Sequence, residues 1–131
     1  MSGRGAGKLI MIVEDNAKNL KLARDVLRFH DFRTIEVTRG EDCVALASEN
    51  LPDLILMDVA LPGLDGVDAS RLLKAEPSTT EIPIVAVTAS VMPSDRDRIT
   101  QSGFAGVIVK PIDVLKFSEQ VLSYCRSSNA R

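Results

Sequence analysis

Leu54-Ile55-Leu56-Met57-Asp58 runs directly into Val59-Ala60-Leu61-Pro62-Gly63. Four apolar residues carry a carboxylate to the end of the run, and a Pro-Gly turn follows. A short apolar run closed by turn residues reads as a strand buried on both faces. Asp58 then stands at the strand's C-terminal edge, half out of the core. In open α/β sheets that edge is where ligands and chemistry collect. Asp is also a common turn and cap residue, so this stretch alone leaves a purely structural Asp58 open.

The same signal recurs along the chain. Leu9 to Val13 is a second apolar run, ending in Glu14-Asp15-Asn16. A helix is predicted from Ala17 to His30, with Leu20, Ala23, Val26 and Leu27 at helical spacing and Asp15 or Asn16 as its cap. Arg33 to Thr38 alternates apolar Ile35 and Val37 with polar Thr34 and Glu36, the pattern of an edge strand. Glu41 to Glu49 reads as a helix with Cys43, Val44 and Ala47 inward. A third helix is predicted over Val67 to Ala75, before Pro77. Pro83 to Val87 is the fourth strand, its proline at the start, where a missing N–H is tolerated. Thr88-Ala89-Ser90 follows. Ser94 to Ser102 is a polar helix whose clear core residue is Ile99, and Gly103 closes it. Val107 to Val109 is the fifth strand, ending in Lys110-Pro111. A last helix is predicted over Val114 to Cys125, with Val114, Phe117, Val121 and Cys125 on one face.

Five βα repeats imply a parallel sheet with helices on both faces. Right-handed crossovers and an edge position for the second strand favour the order 2-1-3-4-5. The 131 residues fit one domain. Its expected extent is 8–126, with a flexible Gly-rich segment 1–7 before it and a polar tail 127–131 after it.

Composition narrows the function. The chain is 45% hydrophobic and 26% charged, ordinary for a globular protein. Its net charge of -2 supplies no basic excess for nucleic acid. Trp is absent and aromatics make up 4%, so base-stacking platforms are scarce. Cys43 and Cys125 stand far apart in no metal-ligand spacing and read as small hydrophobes on helices. No apolar run reaches the roughly 20 residues of a membrane span. These features point to a cytoplasmic protein without nucleic-acid or membrane partners.

The strand ends carry the chemistry. Glu14 and Asp15, Asp58, Thr88 and Lys110 come from four different strands and share one rim. Three carboxylates in one cleft repel one another unless a cation joins them or one stays protonated. Hard oxygen ligands suit Mg²⁺, with Asp15 and Asp58 binding directly and Glu14 through water. Lys110 offers an ammonium for a phosphate or carboxylate, and Thr88 a hydroxyl donor. Together they suit phosphoryl transfer, with Asp58 the nucleophile and an aspartyl phosphate the product. His30, at the end of the first helix, lies away from the rim and reads as structural.

At this point the chain resembles the receiver domains of two-component response regulators, including single-domain regulators of the chemotaxis and cell-cycle type. The matching pieces are Glu14-Asp15-Asn16, Met57 to Gly63 with Leu64-Asp65-Gly66, Thr88-Ala89 and Lys110-Pro111. The resemblance covers about Lys8 to Cys125. It implies that Asp58 accepts a phosphoryl group from a histidine kinase or a histidine phosphotransfer protein. It implies Mg²⁺ held by Asp15, Asp58 and the backbone carbonyl of Ala60, assisted by Glu14. Thr88 and Lys110 are then assigned to the phosphoryl oxygens, and the bond before Pro111 is expected to be cis. Such a protein assists its own phosphorylation and dephosphorylation without being a turnover enzyme, and it signals through a downstream protein. One departure stands out. Val107 occupies the position, three before the lysine, where the family usually has Tyr or Phe.

Other readings fit less well. A phosphatase with an aspartyl nucleophile, of the haloacid-dehalogenase type, would place a second acid where this chain has Ala60. A flavodoxin-like carrier needs a phosphate-binding loop after the first strand, where Glu14 and Asp15 stand. A non-phosphorylated pseudo-receiver would normally lack one of the key residues, and here all are present.

Overall fold

The computed structural model describes residues 5–59, 65–89 and 93–125. Five parallel strands form one sheet in the order β2-β1-β3-β4-β5, as the sequence predicts. They are β1 (Leu9–Val13), β2 (Arg33–Val37), β3 (Leu54–Asp58), β4 (Ile84–Thr88) and β5 (Gly106–Val109). The helices are α1 (Ala17–Phe29), α2 (Cys43–Asn50), α3 (Gly66–Ala75), α4 (Pro93–Gln101) and α5 (Phe117–Tyr124). A single 3-10 turn, Gly40–Asp42, leads into α2.

Both faces of the sheet are covered, which is why β1 and β3 are apolar up to the terminal Asp58 of β3. Met11, Val13, Ile55, Met57 and Ile84 pack with Cys43 and Ala47 of α2 and Ala69 and Leu73 of α3. The alternate residues Ile10, Ile12, Leu54, Leu56, Val85 and Ile108 pack with Ala23 and Leu27 of α1 and Phe117 and Val121 of α5. Helix starts follow local chemistry. Asn16 caps α1 by accepting from the Asn19 N–H at 3.0 Å, and Asp65 caps α3 by accepting from Asp68 at 3.0 Å. Gly103, at φ +85°, follows the end of α4.

Three sequence expectations change. Residues 5–7 of the Gly-rich segment are tied down: Gly5 N–H donates to His30 O at 2.8 Å and Gly7 N–H to Asp31 O at 2.9 Å. Pro83 stands outside β4, and its carbonyl accepts from the Ile55 N–H at 3.0 Å. Helix α5 starts three residues later than predicted. Asp113 turns the chain by accepting the Leu115 N–H on Oδ1 at 3.0 Å, and its carbonyl accepts from Lys116. Val114 is therefore exposed and does not join the inward face of α5. Both cysteines are free thiols, Cys43 buried and Cys125 half-buried at the end of α5.

Candidate functional site

Sheet register assembles the rim. Val13 pairs with Met57, so Glu14 lies one step beyond, level with Asp58. Asp58 pairs with Val87, one residue before Thr88, and Thr88 pairs with Val109, one before Lys110. Backbone bonds continue past the strand ends: Glu14 N–H donates to Val37 O at 2.9 Å and Lys110 N–H to Thr88 O at 2.8 Å. The peptide between Lys110 and Pro111 is cis, as the resemblance implies.

Glu14 and Asp58 are each 5% exposed, whereas Asp15 is open to solvent. Carboxylate oxygens of Glu14, Asp15 and Asp58 lie within 4.8 Å of one another. Lys110 reaches into this cluster. Its Nζ stands 2.8 Å from Glu14 Oε1 and 3.4 Å from Asp58 Oδ2. Glu14 Oε2 accepts the Asn16 N–H at 3.1 Å. Thr88 is buried beside the same rim.

Burial pushes Glu14 above the ordinary glutamate range, against the pull of the Lys110 and Asn16 hydrogen bonds; the neighbouring Asp58 charge adds to the rise. For Lys110, burial works to lower the ammonium's pKa. The hydrogen bond to Glu14 and the charges of Asp58 and Glu14 outweigh it, and the net direction is upward. The lysine is therefore firmly cationic and balances part of the acidic cluster. The three carboxylates still outnumber it. Oxygen-only donors carrying that excess charge fit a hard divalent cation such as Mg²⁺.

The structure thus brings together Glu14, Asp15, Asp58 and Lys110, with Thr88 on the adjoining strand end. Ala60, expected to offer its carbonyl, and Ser90 lie outside the described residues. His30 sits at the end of α1, its ring edge-on to Phe29 at 5.2 Å between centroids. Two residues support the site in ways the sequence did not assign to them. A Cβ on Gly66 would collide with the Asp58 carbonyl oxygen, so a glycine lets α3 begin directly over the end of β3. Arg98 of α4 lies 3.5 Å from Asp65, the cap of α3. The Leu64-Asp65-Gly66 motif signalled the first; nothing in the sequence signalled the second. Among the described residues, no helix is long and apolar enough to cross a membrane.

Comparison with known proteins agrees with this geometry. The family profile of the response regulator receiver domain matches residues 10–122. The polar-differentiation response regulator DivK of Brucella anthropi is 44% identical over 117 residues, 89% of this chain and 95% of that protein. The receiver domain of a sensor histidine kinase from Pseudomonas aeruginosa PAO1 superposes with a TM-score of 0.84 at 33% identity. That match covers 91% of this chain and 98% of the other, whose structure holds a magnesium ion in its active-site cleft. The Vibrio cholerae chemotaxis protein CheY4, at 18% identity, shares the fold with a TM-score of 0.85 over 91% of this chain and 99% of that one. The family profile over residues 10–122 and the 44% identical relative show that the chain belongs to the response regulator receiver domain family, the phosphorylation-based signalling modules of two-component systems.

Proposed function

We propose that Asp58 accepts a phosphoryl group from a phosphohistidine of a histidine kinase or a histidine phosphotransfer protein. The observation that supports this most directly is a nearly buried Asp58 carboxylate facing Lys110, with Glu14 and Asp15 close by. A carboxylate oxygen of Asp58 attacks phosphorus, the bond to the histidine nitrogen breaks, and an aspartyl phosphate forms. Lys110 shifts from Glu14 and Asp58 toward the phosphoryl oxygens, where its charge offsets theirs. The Thr88 hydroxyl donates a hydrogen bond to another of those oxygens.

The metal reading follows the donor set. Asp15, Asp58 and, by family resemblance, the carbonyl of Ala60 would hold Mg²⁺, with Glu14 acting through water. When bound, the ion neutralises charge on the carboxylates and on the incoming phosphoryl group. The functional unit is 8–126, flanked by the segment 1–7 and the tail 127–131. It works in the cytoplasm, without nucleic acid or membrane, and passes its signal to a protein target through α4 and the neighbouring surface. It assists its own phosphorylation and does not turn over a separate substrate.

Acetyl phosphate with Mg²⁺ tests the acceptor. Intact-mass spectra of the wild type should gain one phosphoryl group. Asp58→Asn keeps the shape, removes the nucleophile and should gain none. Equal labelling of the variant would place the acceptor elsewhere.

A further inference from the structure

Asp65 divides its carboxylate between two helices. Oδ1 accepts the Asp68 N–H at 3.0 Å and caps α3, while Oδ2 lies 3.5 Å from Arg98 Nη2 on α4. The residue after Asp65 is fixed to the end of β3. Gly66 N–H donates to Val59 O at 3.1 Å, and Gly66 lies so close to the Asp58 carbonyl oxygen that no Cβ fits between them. Helix α4 is attached to the rim from the other side, because it begins at Pro93, shortly after Thr88 at the end of β4. Asp58 itself pairs with Val87 of β4. The Arg98–Asp65 ion pair therefore closes a circuit that joins Asp58 to Thr88 by way of α3 and α4.

We propose that Arg98 is a positioning residue whose ion pair with Asp65 holds α4 in its resting place and opposes the phosphoryl-bound state of Asp58. The inference rests on the reading of Asp58 as the acceptor. In that reading the Thr88 hydroxyl turns to a phosphoryl oxygen, and the chain that follows Thr88 carries the displacement into α4. Arg98 holds the same helix to α3, whose start Gly66 fixes to β3. The helix follows Thr88 only by giving up the pair. Ile99 is the buried apolar anchor of α4, so an ion pair is a sizeable share of the helix's side-chain hold. A contact made in the resting state and lost in the other favours the resting state by its own free energy. The pair is half-exposed, so its effect is a bias of a few fold and not a block.

Beryllofluoride, a phosphoryl mimic for a carboxylate, tests this when titrated into the full chain in saturating Mg²⁺ and followed by backbone NMR. Arg98→Ala should bind it about 2–5-fold more tightly than wild type, the range open to an exposed ion pair. Asp65→Asn keeps an oxygen for the α3 cap and should tighten binding to the same degree. The double variant should bind no tighter than either single one, because both remove the same contact. Arg98→Lys keeps the charge and should stay near wild type. Raising salt from about 0.05 to 0.5 M should narrow the gap between wild type and Arg98→Ala, since it screens an exposed pair. A change in packing alone would leave that gap in place. Without beryllofluoride, the α4 amide signals of Arg98→Ala should already lie displaced toward their positions in the bound wild type. Unchanged or weaker binding by Arg98→Ala, additive effects in the double variant, or a gap indifferent to salt overturns the role of Arg98 and leaves Asp58 as the acceptor. A wild type that binds no beryllofluoride overturns the reading of Asp58 and this proposal together.

Discussion

Glu14 shows how the rim links charge to stability. Burial raises its pKa, and the Lys110 and Asn16 hydrogen bonds only partly oppose that rise. A carboxyl group whose folded pKa exceeds its unfolded value binds its proton more tightly in the native state. Its contribution to stability is complete below the unfolded pKa and is lost as pH rises through the folded one. In metal-free protein, the stability of wild type relative to Glu14→Gln should therefore fall as pH climbs through that interval. Urea unfolding in EDTA at a series of pH values measures the difference. Parallel profiles for the two proteins would contradict the argument. Lys110 has the same sign at the alkaline end: its raised pKa gives stability that is lost above its folded pKa. The residues of the rim were legible in the sequence because each ends an apolar run. Their pairing was not, since the 2.8 Å contact between Glu14 and Lys110 depends on the order of strands far apart in the chain.

Among its described side chains, α4 has little apolar hold on the fold. Its exposed residues include Arg96, Asp97 and Arg98, and Ile99 is its buried apolar anchor. Ser102 Oγ donates back to the Arg98 carbonyl at 2.6 Å, and Arg98 reaches Asp65. A half-exposed pair of that kind contributes at most about 1 kcal/mol. Segments that move in switching are drawn from such low-stability regions. Val107 adds a second reason. It is half-buried opposite Ala86, and a β-branched side chain in a strand has little freedom at χ1. It cannot relay a signal as a swinging ring would. Beryllofluoride with Mg²⁺ should therefore shift backbone NMR signals most from Ala89 to Ser102, and those of β5 and α5 little. Large shifts around Val107 and along α5, with α4 quiet, would contradict this. The strands were legible to within a residue or so because runs buried on both faces are distinctive. The start of α5 was not. Val114 continues the helical spacing of Phe117 and Val121, yet the Asp113 side chain captures the Leu115 N–H and turns the segment first. Periodicity reports which face a residue would take in a helix, and local hydrogen bonding decides whether the helix has begun.

For the molecule as a whole, the acidic rim is a cost that a cation removes. Glu14, Asp15 and Asp58 come from β1 and β3, adjacent strands near the middle of the sheet, and Lys110 joins them from β5. A ligand that binds only the folded state stabilises all of it, because these strands come together only on folding. With Mg²⁺ at 100 times its dissociation constant, the gain is about 2.7 kcal/mol. Each kcal/mol raises the melting temperature by roughly 2–8 °C in domains of this size range. The wild type should therefore melt measurably higher in Mg²⁺ than in EDTA. Asp15→Asn removes one repelling charge and one proposed ligand from an exposed position. Its metal-free form should melt at or above the wild type, and its response to Mg²⁺ should shrink or vanish. Calorimetry with and without the ion separates the two effects. A variant that keeps the full Mg²⁺ shift would remove Asp15 from the ligand set, while lower stability of its metal-free form would show that the charge at Asp15 contributes a favourable contact.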